Sequence, residues 1–97
     1  MKLSDPTGWR RDLAELQSVF DAAAAERDQR PDFDGREPGW VLYERAQMHD
    51  AVNRLRARLG KPPVATEAIE GAERSACGHV DYAQKFALGA ADLVHAP

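Results

Sequence analysis

The sequence predicts an all-α fold, an antiparallel three-helix bundle with a long C-terminal helix. The strongest observation is a stripe of mostly small apolar residues, spaced by three or four, which is the spacing of one helix face: Ile69, Ala72, Ala76, Val80, Ala83, Ala87, Ala90 and Val94. Two earlier segments, 6–28 and 38–59, have comparable spacing, and no strand is predicted. The 97 residues are therefore expected to form one helical domain, 1–97.

The first helix is predicted over residues 6–28. Asp5 is a suitable N-cap, and Pro6 suits the first helical position. One face is apolar and comprises Trp9, Leu13, Leu16, Phe20 and Ala23. The segment between the first and second predicted helices contains two prolines and two glycines, which predicts a loop. Its aromatic residue, Phe33, is expected to pack back onto the core.

The second helix is predicted over residues 38–59, with Gly60 at the C′ position and two prolines just beyond. Its apolar face comprises Val41, Met48, Val52, Leu55 and Leu59. The first turn, 40–43, is apolar all the way round. Because one helix face cannot bury four consecutive residues, part of this turn is expected to contact something beyond a two-helix interface.

The third helix is predicted over residues 66–94, with Thr66 as its N-cap. Gly78 could divide it into two shorter helices at 77–79, but the apolar stripe keeps its phase there, so continuity is expected. The predicted core combines the periodic positions of all three helices: Trp9, Leu13, Leu16, Phe20, Val52, Leu55, Ile69, Val80, Ala83 and Phe86.

The composition narrows the function classes. Hydrophobic residues make up 43% and charged residues 30% of the chain, as in ordinary globular proteins. The net charge of −3 implies neither a polyanion nor a membrane surface as partner. The single cysteine excludes an intramolecular disulfide and suits a reducing compartment. No signal peptide or membrane-spanning run is found, so a cytoplasmic protein is expected.

The densest group of chemically able side chains is the possible ligand or partner contact formed by His79, Asp81, Tyr82 and Lys85. The plainer interpretation is a histidine and a tyrosine at the core edge beside an Asp81–Lys85 ion pair. Cys77, His79 and Asp81 do not share a helix face, so no metal site is expected. No nucleophile and base are positioned together, and neither catalytic residues nor a cofactor are expected.

A second cluster, rich in arginine, comprises Arg54, Arg56, Arg58 and Lys61 at the end of helix 2. It suggests a nucleic-acid-binding regulator as an alternative function. Cations near a helix C-terminus are also favoured by the helix dipole alone, and three glutamates, 67, 70 and 73, are expected near the same end. Nucleic acid is therefore not the expected partner.

The C-terminal part of the chain contains the sequence Lys-Pro-Pro-Val at 61–64 and a Gly-His-x-Asp-Tyr…Lys-Phe-Ala-Leu signature at 78–88. In these motifs it resembles small helical proteins of actinobacteria and their phages. The resemblance covers roughly the last sixty residues. It implies a compact helical protein and such a source, and it implies no activity.

The function predicted first is a non-enzymatic protein–protein interaction or assembly module, whose partner is another protein or a further copy of the same chain in a homo-oligomer. In an antiparallel bundle the apolar start of helix 2 would lie beside the end of helix 3. The resulting interface is predicted to comprise Trp40, Leu42, Tyr43, Leu88 and Leu93. The alternatives are the nucleic-acid-binding regulator and a small ligand-binding protein or enzyme centred on His79, Asp81 and Tyr82.

Overall fold

The computed structural model describes residues 7–29 and 38–97, except for the side chains of residues 27, 28 and 38–42. Four helices follow one another: α1 (Trp9–Asp28), α2 (Pro38–Arg58), α3 (Thr66–Ala76) and α4 (Tyr82–His95). The part of the chain described here is helical with connecting turns and contains no strand. The all-α prediction is confirmed, whereas the prediction of three helices is wrong.

The third predicted helix, 66–94, is divided at the glycine where continuity was expected. Cys77 ends α3, and its backbone N–H donates to the carbonyls of Glu73 and Arg74. Gly78 follows with φ = +90°, a left-handed conformation that L side chains rarely adopt. The apolar stripe keeps its spacing of three or four residues across the break, because the five-residue turn 77–81 brings the chain back to the core at a matching position. Val80, predicted as a core residue, projects fully into solvent from this turn.

The added reversal changes the topology. Arg45, near the start of α2, contacts Glu73 near the end of α3, so these helices are antiparallel. α4 then runs back along α3 and becomes parallel to α2. Accordingly Arg56, near the end of α2, reaches the carbonyl of Leu93 near the end of α4. In a three-helix bundle the end of the last helix would instead have lain beside the start of α2.

The end of α2 has the predicted glycine cap. Gly60 adopts φ = +73°, and its N–H donates to the carbonyl of Ala57 over 3.0 Å. The N–H of Lys61 donates to the carbonyl of Arg56 over 2.9 Å, which completes a Schellman motif. At the start of α1, the Thr7 hydroxyl accepts a hydrogen bond from the N–H of Trp9. The predicted cap at 5–6 and the loop aromatic Phe33 lie outside the described residues.

The core lies where all four helices meet. Of the predicted core residues, Leu16, Phe20, Val52, Leu55, Ile69 and Phe86 are buried. Trp9, Leu13 and Ala83 pack against the core but are only half-buried. Leu59, assigned to the apolar face of α2, is 39% exposed because it follows the last helical turn. Phe20, Tyr82 and Phe86 form a cluster with ring centroids 5.8–6.1 Å apart, which joins α1 to α4.

Candidate functional site

An open cleft of about 690 Å³ lies between α2, α3 and the start of α4. Two of its residues come from α2, and four come from α3 and the turn after it. Tyr82 closes it at the first position of α4. We call this cavity the cleft, and its described lining comprises Glu44, Arg45, Glu70, Glu73, Arg74, Cys77 and Tyr82.

An ion pair between Arg45 and Glu73 forms one wall of the cleft. The Nη2 and Nε atoms of Arg45 donate to Oε1 of Glu73 over 2.6 and 3.1 Å. The side chains are only 23% and 13% exposed, and the hydrogen bond to Glu73 raises the pKa of Arg45. Glu70 lies further out, with its Oε1 3.8 Å from Nη1 of Arg45. Both carboxylates therefore stand against the same guanidinium.

One atom of this wall is left without a partner. Oε2 of Glu73 is buried, and no donor among the described residues hydrogen-bonds to it. A buried carboxylate oxygen normally has at least one partner, because desolvation otherwise costs free energy. Glu73 therefore keeps excess acceptor capacity and negative charge behind the surface of the cleft.

Tyr82 connects the cleft to the aromatic cluster in the core. Its side chain is half-buried, and its ring lies 5.8 Å from those of Phe20 and Phe86. Burial, followed by the negative charges of Glu73 and Glu44, raises the pKa of Tyr82 to about 12. The opposing influence of Arg45 is smaller. The phenol is therefore neutral at physiological pH and experiences a field dominated by carboxylates.

The four residues predicted as a ligand or partner contact are distributed over three places. Tyr82 lines the cleft, while His79 and Asp81 lie exposed in the turn before α4. Lys85 lines a separate groove between α3 and α4. The structure therefore does not gather these residues into one polar cluster, and of the four only Tyr82 is among the described lining of the cleft.

Sequence reasoning missed Arg45 and Glu73 as partners. The glutamates of α3 were noted, but they were expected near the arginine-rich end of α2, where the third helix begins. The structure places Glu70 and Glu73 beside Arg45, in the first half of α2. The available signal was the acid spacing of three on α3, which puts Glu70 and Glu73 on one helix face.

The predicted interface is also divided. Tyr43 is half-buried, and its hydroxyl donates to Glu26 at the end of α1. Leu88 and Leu93 are half-buried on α4, and Leu93 lies at the level of Arg56. Tyr43 and Arg56 are thirteen residues apart on α2, which corresponds to about 20 Å. The structure therefore places Tyr43 and Leu93 at different levels of α2, while the side chains of Trp40 and Leu42 lie outside those described.

Two cations of the arginine-rich end are used inside the fold. Arg56 is buried and donates to the carbonyls of Pro62, Leu93 and Ala96 over 2.6, 2.7 and 2.9 Å. The ammonium of Lys61 donates to the carbonyl of Ala96 over 3.0 Å. These contacts satisfy carbonyl groups at the end of α4, where a helix leaves acceptors without intrahelical partners.

The other two arginines of this end have acidic neighbours. Arg54 contacts Asp50 one turn earlier on α2 at 3.2 Å, and Arg58 contacts Glu15 on α1 at 3.5 Å. Both pairs are largely exposed. The cluster thus contains one buried arginine and two arginines with carboxylate partners.

The described residues contain neither a metal site nor a membrane span. Across residues 7–29 and 38–97, no three or more His, Cys, Asp or Glu side chains are grouped so as to hold a metal ion. No helix in these ranges is long and apolar enough to cross a membrane. Comparisons of the chain with protein-family models, with curated proteins and with solved structures gave no match.

Proposed function

We propose that this chain is a non-enzymatic helical interaction module that binds a protein partner in the cleft and takes up a basic side chain of that partner. The supporting observation is the combination of a half-buried aromatic ring with carboxylates on one open cavity. A lysine or arginine side chain has matching chemistry, because it joins an apolar stem to a cationic head.

The charges of the wall favour a cation over an anion. Arg45 already has two carboxylate neighbours, so its own charge is largely compensated inside the wall. The carboxylate of Glu70 is 39% exposed and faces the cavity from α3. We assign it as the acceptor that an incoming ammonium or guanidinium reaches first. The described lining contains three carboxylates, Glu44, Glu70 and Glu73, against the two arginines, Arg45 and Arg74, so one net negative charge remains to attract a cation.

Tyr82 supplies the apolar surface for the stem of that side chain. An aromatic ring attracts a cation placed over its face within about 6 Å of the centroid. Burial is the largest cause of the raised pKa of Tyr82, and the charges of Glu73 and Glu44 raise it further, so the ring is neutral and lies near carboxylates. The cleft volume, about 690 Å³, lies within the range of roughly 300–1,000 Å³ that is usual for binding pockets.

We also propose that the module works in the cytoplasm. Cys77, the only cysteine, lines the cleft and is exposed with a free thiol. An exposed thiol at a binding surface keeps its chemical form in a reducing compartment, whereas oxidising compartments favour disulfides.

Selection of random peptides on the immobilised full chain tests the proposal. We expect recovered peptides to share a lysine or arginine and to bind Glu70→Gln protein at least about tenfold more weakly. The matched control is Glu67→Gln, the same change at an exposed position of α3 outside the cleft lining. Peptides without a basic residue, or peptides that bind the Glu70→Gln and wild-type proteins equally, would contradict the proposal.

A further inference from the structure

A second concavity, separate from the cleft, runs between α3 and α4. This α3–α4 groove has a volume of about 380 Å³ and a floor of small residues. At Gly89 the helices touch, since a methyl group there would lie 3.2 Å from the Cβ of Ala72. At Gly71 the groove is open, because a methyl group would meet nothing within 4 Å. The floor therefore lets another helix approach closely.

The charges at the edge of the groove have opposite signs at its two ends. Lys85 and Asp92 both line it and are exposed on α4. They stand four residues before and three residues after Gly89. In the described part of the chain neither side chain has an ion-pair partner, in contrast to Arg45, Arg54 and Arg58.

The α3 side of the groove is formed by small residues. Ala68, Gly71 and Ser75 lie along it, and its described lining contains no charged residue of α3. The exposed Glu67 and Arg74 of α3 lie outside this lining, and Arg74 lines the cleft. The groove therefore has an acidic end with Asp92 and a basic end with Lys85.

We propose that the α3–α4 groove is the contact surface for a second copy of this chain, related to the first by a two-fold axis that passes near Gly89. Such an axis brings the two copies of the surface together in antiparallel orientation, so the basic end of one protomer covers the acidic end of the other. Lys85 of each protomer then faces Asp92 of its partner, and the same contact occurs twice.

The charge pattern points to a copy of the same chain as the occupant. A surface whose charges reverse sign about its own centre is complementary to itself only in the antiparallel arrangement. A parallel arrangement would place like charges opposite one another, which is unfavourable. This contact lies on the face of α3 with Ala68, Gly71 and Ser75, whereas the cleft uses the face with Glu70 and Glu73. Dimerisation therefore goes beyond the proposed partner site and leaves that site open.

Sedimentation equilibrium of charge variants tests the arrangement directly. Lys85→Asp makes both groove-lining charges of α4 acidic, and Asp92→Lys makes both basic. We expect each variant alone to dimerise at least about tenfold more weakly than the wild type, because each change affects two symmetric contacts. An equimolar mixture of the two variants should regain the wild-type association as a heterodimer. A wild-type protein that stays monomeric at millimolar concentration, or a mixture that does not recover, would overturn the proposal.

A steric variant provides an independent test. Gly71→Leu fills the groove where the monomer offers open space, so the monomer should stay folded while the dimer is lost. The matched control is Ala14→Leu, which adds the same side chain at an exposed position of α1. Circular dichroism verifies helicity for both variants. Unchanged dimerisation of folded Gly71→Leu protein would show that the groove is not the interface.

Discussion

Arg45 and Glu73 tie the start of α2 to the end of α3 through two hydrogen bonds to one carboxylate oxygen. The other oxygen of Glu73 remains buried and without a hydrogen-bond partner among the described residues. This pair therefore has two consequences. It joins α2 to α3 beside the cleft, and it leaves an unpartnered carboxylate oxygen behind the surface of the cleft.

Removing the guanidinium should destabilise the fold. In Arg45→Ala protein the buried carboxylate of Glu73 loses its only described donor, so we expect a loss of about 1.5–3 kcal/mol, as for hydrogen bonds to charged groups. Urea denaturation measures the free energy of unfolding. A loss below about 0.5 kcal/mol would show that the pair is as weak as an ordinary surface ion pair.

Arg56 should be the most sensitive arginine of the chain's basic end. Its replacement by methionine keeps an apolar stem but leaves carbonyls of Pro62, Leu93 and Ala96 without this donor, so we expect a loss of about 2–4 kcal/mol. Arg54→Ala is the control, since its exposed pair with Asp50 should contribute less than about 0.5 kcal/mol. Equal losses in the two variants would contradict the capping role of Arg56.

The two glycines of the C-terminal half should respond oppositely to alanine. Gly78 has φ = +90°, so Gly78→Ala should cost about 1–2 kcal/mol through backbone strain. Gly71 is helical with open space around it, so Gly71→Ala should stabilise by about 0.5–1 kcal/mol. Thermal or chemical unfolding compares the two. Stabilisation by Gly78→Ala would indicate that α3 and α4 fuse readily into one helix.

This contrast explains what could be predicted about the fold. Helix content and most core positions follow from spacing alone, since each helix must bury one face. The break at Gly78 could not be predicted, because spacing records which residues face the core and not the direction in which the chain runs. Val80 fits the stripe by its position in the sequence, yet it projects into solvent from the turn.

The prediction of the site was limited in a different way. Tyr82 was singled out from the sequence, and it lines the cleft. Arg45 and Glu73 were not paired, because they are 28 residues apart on two helices, and spacing within each helix does not show how far α3 is shifted along α2. The expected closeness of Tyr43 to Leu93 depended on the undivided third helix, since the missed reversal exchanges the ends of α4.

Alkaline titration should distinguish Tyr82. Its pKa is raised from 10.0 to about 12 by burial and neighbouring carboxylates. A group whose pKa is raised in the folded state contributes stability that is complete below pH 10 and is lost as the pH rises through about 12. We therefore expect the tyrosinate absorbance of wild-type protein to include a late-titrating component that Tyr82→Phe protein lacks. A wild-type titration in which both tyrosines ionise together near pH 10.0, without a late component, would contradict the described environment.

The most direct test of the proposed function is the coupling between Glu70 and the basic residue of a cleft-binding peptide. Titration calorimetry would compare the selected peptide with a variant in which norleucine replaces its lysine or arginine, on wild-type and Glu70→Gln protein. We expect the replacement to weaken binding to the wild type by at least about tenfold and binding to Glu70→Gln protein by less than about twofold. Equal weakening on both proteins would show that the basic side chain does not bind at the cleft carboxylate.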